Sequence, residues 1–487
     1  MTFPVIGPAT RRDSRTFMPA TLFDKIWDTH TIRSLDDGSS LVYVDRVFLH
    51  ERTGAVALKS LAEDGRKVRN PRHVFATMDH IVDTRPGRGD KTLVPGGEAF
   101  IHALRESAGD TGISLYDIDS PDQGISHLIA AEQAIALPGL VVACPDSHTC
   151  TLGALGAIGW GIGSSDCEHA VATETLRSSK PKQMRVTFSG QLGTGVTAKD
   201  MILHLIARYS ASGAAGHAIE YSGDTISALP LEARFTLCNM AVEFSAFTGL
   251  IVPDEKVFNY LQGRSFAPGG DDWDACVESW RSLASDDDAS FDAELCIDSV
   301  EIAPTVTWGT SPQHAVPVTD SVPDIAPGTT SEESHQLDLA MSYMGLKPGQ
   351  PLAGLRIDGA FIGSCTNARL SDLQAAARVL RGRKVAPGVR AICTPGSMHV
   401  KRAAEEEGLH EVFLDAGFEW REPGCSLCFN AGGEGFAEGE RVMTSTNRNF
   451  RGRQGPGARS HLASPASVAA AAIAGEIVDV REVDTVE

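Results

Sequence analysis

The stretch Leu355-Arg356-Ile357-Asp358-Gly359-Ala360-Phe361-Ile362-Gly363-Ser364-Cys365-Thr366-Asn367 is an apolar run that ends in a polar, glycine-bearing turn. This pattern predicts a buried strand, Leu355 to Ile362, that delivers Gly363-Ser364-Cys365 at its end. An amphipathic helix is predicted next, with an apolar side formed by Leu370, Leu373, Ala377 and Leu380. A strand, a turn with reactive side chains and a helix in this order indicate an open α/β sheet. Such a sheet presents its functional site at the carboxyl edge of the strands.

The same arrangement recurs further along the chain. Val389 to Cys393 is a second predicted strand, and Val442 to Thr444 is a third that ends near Asn447-Arg448. The pair Cys425 and Cys428, in the sequence PGCSLC, lies between these two strands. We therefore expect the cysteine loops and an arginine-bearing loop to follow strands of one sheet.

The N-terminal part of the chain also alternates apolar runs with polar turns. Predicted strands cover Leu41 to Val44, His73 to Ala76 and Leu140 to Cys144. The second is followed by Met78-Asp79-His80 and the third by Pro145-Asp146-Ser147-His148. These turns would meet at the carboxyl edge of another α/β sheet.

The chain is long for a single core, so several domains are expected at 487 residues. Pro181-Lys182 marks a boundary, and the Pro-, Ser-, Thr- and Asp-rich segment 314–333 is interpreted as a connection. The predicted architecture is α/β with three domains, residues 1–183, 184–333 and 334–487, around a central site.

Composition excludes some classes of function. The formal net charge is −20 without a strongly basic tract, so the chain lacks the cationic footprint of a nucleic-acid-binding protein. No apolar run is long enough for a membrane span, and no secretory signal is expected from the first twenty residues. Ten scattered cysteines favour a reducing, cytoplasmic location over a disulfide framework.

Cys365, Cys425 and Cys428 supply three thiols, whereas a cubane iron–sulfur cluster usually takes four. The CxxC pair alone could also be half of a zinc site, a redox dithiol or two buried thiols. The residue types leave a cluster and structural cysteines equally open. We interpret the other seven cysteines as buried small hydrophobes: Cys144, Cys150, Cys167, Cys238, Cys276, Cys296 and Cys393.

Three histidines in polar loops have carboxylates within reach. His80 stands beside Asp79, His127 lies in GISH, and His148 is close to Asp146 and Ser147. Such pairs are typical of oriented acid–base groups, although a lone histidine is more often structural. Asp146-Ser147-His148 is no hydrolase triad, since adjacent residues point apart and no G-x-S-x-G elbow is present.

Two further groups of polar residues are candidates for binding. Asn239 and Glu243 are four apart in a predicted helix, so both would lie on one face. The loop NRNFRGR carries Arg448 and Arg453, and planar guanidinium groups suit carboxylates. The glycine run 159–163 has no dinucleotide fingerprint, and we interpret it as tight packing.

Together these segments resemble the aconitase superfamily from about Thr21 to about Arg481. The motifs that carry the resemblance, in chain order, are FATMDH (75–80), DSHT (146–149), TLCNM (236–240), GSCTN (363–367), GCSLC (424–428) and NRNF (447–450). The resemblance is nearest to the large subunits of isopropylmalate isomerases. It implies an iron–sulfur hydro-lyase of leucine biosynthesis that isomerises 2- and 3-isopropylmalate by dehydration and rehydration.

The resemblance also implies roles for individual residues. Cys365, Cys425 and Cys428 would hold one [4Fe-4S] cluster, with the fourth iron free for a 2-hydroxy acid. His80, oriented by Asp79, would protonate the departing hydroxyl. The remaining implied site residues are His127, Asp146, His148 and Glu243 as supporting pairs, Ser147, Asn239 and Asn447 near substrate and cluster, and Arg448 and Arg453 on carboxylates.

One part of the catalytic machinery would come from elsewhere. In single-chain relatives a fourth domain supplies a serine base, so the resemblance implies a separate small subunit, with a heterodimer as the active form. The segment 429–433 and Met398-His399 depart from the family pattern, which leaves the substrate open. A methylmalate (citraconate) or maleate hydratase, a homoaconitase-type enzyme, a cluster-dependent RNA-binding sensor and an inactive scaffold are the alternatives.

Overall fold

The computed structural model describes residues 19–326, 328–429 and 434–483. Within these ranges none of the helices is long and apolar enough to cross a bilayer. The strands are β1 (Thr31–Ser34), β2 (Ser40–Tyr43), β3 (Arg46–His50), β4 (Val74–Thr77), β5 (Ser114–Tyr116), β6 (Val141–Cys144), β7 (Ile158–Gly161), β8 (Thr175–Ser178), β9 (Lys182–Ser189), β10 (His217–Ser222), β11 (Gly249–Leu250), β12 (Ala293–Asp298), β13 (Thr305–Thr307), β14 (Ala315–Pro317), β15 (Gly359–Ile362), β16 (Arg390–Cys393), β17 (Glu419–Trp420), β18 (Arg441–Thr444) and β19 (Arg459–Leu462).

Helices connect most of these strands. They are α1 (Leu22–His30), α2 (Glu51–Glu63), α3 (Gly97–Thr111), α4 (Ser126–Glu132), α5 (Ser164–Thr173), α6 (Ala198–Tyr209), α7 (Asp224–Ala228), α8 (Leu231–Asn239), α9 (Glu255–Leu261), α10 (Asp271–Arg281), α11 (Ser331–Met344), α12 (Leu370–Leu380), α13 (Met398–Glu406), α14 (Leu409–Ala416) and α15 (Pro465–Ala474). Short 3-10 turns include Ser147–Leu155, Met240–Phe244 and Ser426–Cys428.

Three parallel sheets form the framework, so the α/β prediction is confirmed. Their strand orders are β5-β4-β3-β6-β7, β11-β10-β9-β12 and β17-β16-β15-β18-β19. Every residue of β4, β6, β15 and β18 is buried, as expected for strands covered by helices on both faces. The division into domains at 183/184 and 333/334 stays a prediction.

The N-terminal sheet differs from expectation at one strand. Leu41 to Val44 corresponds to β2, which belongs to a small antiparallel sheet with order β1-β2-β8. The strand of the parallel sheet is β3, directly after it, which the sequence reading missed. Asp45 separates the two, because its carboxylate accepts the backbone N–H of Val141 at 2.7 Å and so fixes where the chain changes sheets.

Two predictions about the C-terminal half of the chain were also wrong in detail. The strand predicted from Leu355 begins only at Gly359, because the backbone of Leu355 and Ile357 bonds to the chain after α15 instead. The segment 314–333 is not wholly a connection, since it contains β14, which pairs with β13, and the start of α11. The predicted helix after Cys365 is confirmed as α12.

Close packing explains the glycine run, as predicted. A Cβ on Gly159 would lie 2.0 Å from the carbonyl oxygen of Thr149, so a side chain there would displace the turn that follows Asp146. Of the seven other cysteines, five are buried, whereas Cys276 is half-buried and Cys296 is exposed on β12. The interpretation of all seven as core residues is therefore wrong for Cys296.

Candidate functional site

Three thiols lie in loops of the third sheet. Cys365 follows β15 after Ser364, whose φ of 88° places this residue in the left-handed region. Cys425 precedes the 3-10 turn that comes after β17, and Cys428 is the last residue of that turn. All three side chains are buried, at 5–6% exposure.

Polar side chains from two regions reach these sulfurs. Asn239 Nδ2 donates to Cys365 Sγ at 3.2 Å, and Asn447 Nδ2 approaches the same sulfur at 3.5 Å. Arg453 Nη2 lies 3.5 Å from Cys428 Sγ. Donors aimed at sulfur stabilise the thiolate form, which is the form that binds metal.

The spacing of the thiols argues against a single metal ion. A zinc ion with Zn–S bonds of about 2.3 Å would draw its sulfurs to within roughly 4 Å of one another. Across the three described ranges, the one set of ligand atoms lying within 4.8 Å of each other is His50, Glu51, Asp79 and His80, and the cysteines are not in it. The three thiols are therefore not close enough to one another in this structure to form a compact single-ion site by themselves.

Burial alone disfavours the ionised form of these thiols. It raises the pKa of Cys365 well above its usual value and that of Cys425 to about 12. A cationic metal group bound to the sulfurs would reverse this and hold them as thiolates. The donor set therefore fits a cluster with three protein ligands.

The CxxC loop is bonded to the turn that follows β4. The backbone N–H of Cys425 donates to the carbonyl oxygen of Asp79 at 2.8 Å. Gly424 permits this approach, since a Cβ there would lie 2.9 Å from Thr84 Cγ2. His80 Nδ1 is 3.9 Å from Cys425 Sγ, so the histidine next to Asp79 faces the thiols.

His80 sits between two carboxylates. Its Nδ1 is 2.5 Å from Asp79 Oδ1, and its Nε2 is 3.1 Å from Asp146 Oδ2. Burial by itself would lower the pKa of His80, but the charges of Asp79 and Cys425 and the hydrogen bonds with Asp146 and Asp79 together raise this pKa well above 6.5. This environment favours the protonated imidazole, which is the form that can act as a general acid.

Asp146 connects all three predicted histidines. Its Oδ1 is 3.0 Å from His127 Nε2 and accepts the backbone N–H of His148 at 2.7 Å, while its Oδ2 meets His80. Burial opposes ionisation, but these hydrogen bonds, led by that of His127, hold the pKa of Asp146 well below its usual value.

Glu243 holds the outer part of the network. His148 Nε2 lies 2.9 Å from Glu243 Oε1, and Arg448 Nε lies 2.6 Å from the same oxygen. Burial would raise the pKa of Glu243, yet the bond with His148 and the Arg448 charge lower it. The prediction of one helix through Asn239 and Glu243 is wrong: α8 ends at Asn239, and the 3-10 turn that follows points the two side chains to different partners.

Most predicted site residues thus converge, with some exceptions. Ser147 is exposed, and its Oγ contacts only His148 Nδ1, at 3.4 Å, among the described residues. Met398 is fixed by its backbone N–H to the Gln123 carbonyl oxygen at 2.8 Å. Of the unusual segment 429–433, residues 430–433 lie outside the described residues.

The sequence reading missed three buried residues beside the site. His50 stacks on His80 with ring centroids 3.9 Å apart, and burial lowers the pKa of His50 to about 4. Glu51 and Lys199 are both fully buried. His50 ends β3 and Glu51 comes directly after it, so correct assignment of that strand would have placed them at the carboxyl edge.

This fold and site define a class: three parallel α/β sheets around a buried thiol triad and a carboxylate-bound histidine cluster. The family model of the aconitase family (aconitate hydratase) matches residues 24–475, and the chain belongs to this family.

Two curated relatives cover nearly the whole chain. A protein of Bradyrhizobium diazoefficiens called 3-isopropylmalate dehydratase large subunit 1 is 51% identical over 464 residues, 95% of this chain and 97% of the relative. A protein of the same name from Mannheimia succiniciproducens is 47% identical over 466 residues, 96% and 98% of the two chains. A solved structure, holo-form aconitase X of Thermococcus kodakaraensis, is similar with TM-score 0.46 and 14% identity, covering 84% of each chain.

Proposed function

We propose that this chain is the large catalytic subunit of a hydro-lyase that isomerises 2- and 3-isopropylmalate in leucine biosynthesis. Two findings support this reaction: the chain belongs to the aconitase family, and it is 51% identical to a protein called 3-isopropylmalate dehydratase large subunit 1. The observation that carries the chemistry is the position of His80, between the carboxylates of Asp79 and Asp146 and facing the thiol of Cys425.

Cys365, Cys425 and Cys428 would hold a [4Fe-4S] cluster. When bound, such a cluster supplies a Lewis acid that weakens the C–O bond of a 2-hydroxy acid. Asn239 and Asn447 donate to the Cys365 sulfur and keep its orientation fixed.

The chain's own residues would move the proton and hold the substrate. His80 donates the Nε2 proton to the departing hydroxyl, and Asp79 retains its bond to Nδ1 through the step. Hydroxide is a poor leaving group, so its protonation is the contribution most needed. His127 and His148 are oriented by Asp146 and Glu243.

Two arginines would bind the substrate carboxylates. Glu243 holds Arg448 at Nε, which leaves the terminal nitrogens of this guanidinium to face a carboxylate. Arg453 lies between the rings of Phe429 and Phe450, with its guanidinium carbon 5.5 and 5.3 Å from their centroids. Ser147, exposed beside His148, would face the substrate.

A separate small subunit would complete the enzyme. The curated relatives are named as large subunits, which supports a partner chain. We propose that this partner supplies the catalytic base and the substrate-selectivity loop, in a cytoplasmic heterodimer. The large subunit alone would then bind a cluster without turnover.

Anaerobic reconstitution with iron and sulfide tests the proposal. We expect visible absorption and electron paramagnetic resonance of a cluster, and conversion of 2- to 3-isopropylmalate once the small subunit is added. Methylmalate and homoaconitate are the comparison substrates. If either is turned over faster than isopropylmalate, the assignment of isopropylmalate as the substrate is wrong. A Cys425→Ser variant that assembles a full, active cluster would refute the ligand assignment.

A further inference from the structure

A buried lysine from the second domain lies under the loops that carry the thiols. Lys199, the second residue of α6, is fully buried, which is rare for an ammonium group. Neither the family motifs nor the acid–base network includes it.

The ammonium group joins two loops of the third domain. Lys199 Nζ donates to the carbonyl oxygen of Ser445 at 2.9 Å, to that of Thr446 at a shorter distance, and to Asn367 Oδ1 at 3.4 Å. Its three donors therefore meet three oxygen atoms, all of them uncharged. Asn367 is two residues after Cys365, and Thr446 directly precedes Asn447.

The two loops that Lys199 joins hold the same sulfur. One loop supplies Cys365 itself, and the other supplies Asn447, whose Nδ2 lies 3.5 Å from Cys365 Sγ. Ser445 Oγ also bonds to the backbone N–H of Gly363 at 3.1 Å, so the loops already touch. Lys199, which comes from α6, adds hydrogen bonds to both loops.

A buried charge without a carboxylate partner needs another source of stabilisation. Burial lowers the pKa of Lys199 to about 7, whereas negative charge on Asp372, Cys428 and Cys365 acts in the opposite direction. Three metal-bound thiolates, in a chain of net charge −20, would supply such negative charge.

We propose that Lys199 is a positioning residue for the cluster, which joins the Cys365 and Asn447 loops and places a buried positive charge beside the thiolates. This inference rests on the proposed cluster. Without Lys199 the loops lose their shared donor, and the reduced cluster loses a compensating cation.

Lys199→Met and Lys199→Gln separate the two contributions. Methionine removes both the donors and the charge, whereas glutamine keeps an N–H donor and removes only the charge. We expect cluster release to a chelator, followed by visible absorption, to become about tenfold faster in Lys199→Met, from the loss of hydrogen bonds to a charged group. In both variants the reduction potential of the cluster should fall, because the added electron is less well compensated.

Asp200→Asn is the matched control on the same helix turn. Asp200 is equally buried, but its carboxylate bonds to Thr197 and to the backbone N–H of Thr305 at 2.7 Å rather than to the cluster loops. This variant should lower thermal stability and change the reduction potential less than either Lys199 variant does, because Asp200 acts on the ammonium group only through its charge.

The outcomes are distinguishable. A wild-type chain that assembles no cluster overturns both this inference and the proposed function. A wild-type cluster matched by both Lys199 variants in release rate and potential overturns the role of Lys199 alone. If Lys199→Met does not fold, Lys199→Gln decides, and failure of both to fold as apoproteins would indicate a general structural role and refute the proposal.

Discussion

The histidine side and the cysteine side of the site are built by opposite means. On the histidine side, comprising His80, His127, His148, Asp79, Asp146 and Glu243, each imidazole has a carboxylate partner at 2.5–3.1 Å. On the cysteine side, comprising Cys365, Cys425 and Cys428, the sulfurs have polar contacts of 3.2–3.9 Å.

This difference indicates which side depends on a bound group. The histidine side satisfies its charges within the protein, so its geometry is fixed by folding. The cysteine side gathers thiols whose ionisation burial disfavours, so we expect the thiolate form only when the proposed metal group is bound. The two sides meet where Cys425 bonds to Asp79 and faces His80.

The largest expected effect comes from Cys365→Ala. We expect loss of the cluster and a fall in turnover of about a thousandfold or more, since Lewis-acid assistance supplies several kcal/mol. Circular dichroism and thermal unfolding of the apoprotein should stay close to wild type, because the histidine side is complete without the thiol. An apoprotein that unfolds would show instead that the two sides form one unit.

Asp146→Asn should have a smaller effect on turnover than Cys365→Ala and should leave the cluster in place. Asparagine keeps one acceptor oxygen in place of two, so His80 and His127 can no longer both bond to an oxygen of this side chain. We expect kcat to fall about a hundredfold, within the range for general acid–base groups. Cluster absorption and its release rate should be unchanged. A cluster lost together with activity would break the proposed separation of the two sides.

Glu51→Gln should give the smallest effect of the three. Glu51 accepts the backbone N–H groups of Asp79, His80, Ile81 and Val82. Glutamine keeps one acceptor oxygen, so we expect unfolding to need about 2 kcal/mol less and kcat to fall about tenfold. KM should stay constant, because the arginines that would bind substrate are elsewhere, and urea unfolding together with steady-state kinetics measures both. Glu51→Asp, which keeps the charge, is the control.

Particular strands show how far the sequence could predict this structure. Uninterrupted apolar runs identified β4, β6 and β18 to within one residue, because strands buried on both faces carry little else. β3 was missed because it follows β2 after two residues, and no turn signal of glycine or proline separates them. Because β3 was missed, His50 and Glu51 at its carboxyl end were not predicted as site residues.

The sequence by itself determined the chemical inventory: three thiols, three histidines, their carboxylates and two arginines, most of them in loops after strands. Only the tertiary structure decided which groups pair. His80 meets Asp146, 66 residues away, and approaches Cys425, 345 residues away. Lys199 reaches Thr446 across 247 residues. Local sequence fixes where a strand ends, but distances between loops of different sheets follow from how the sheets pack, which no local pattern encodes.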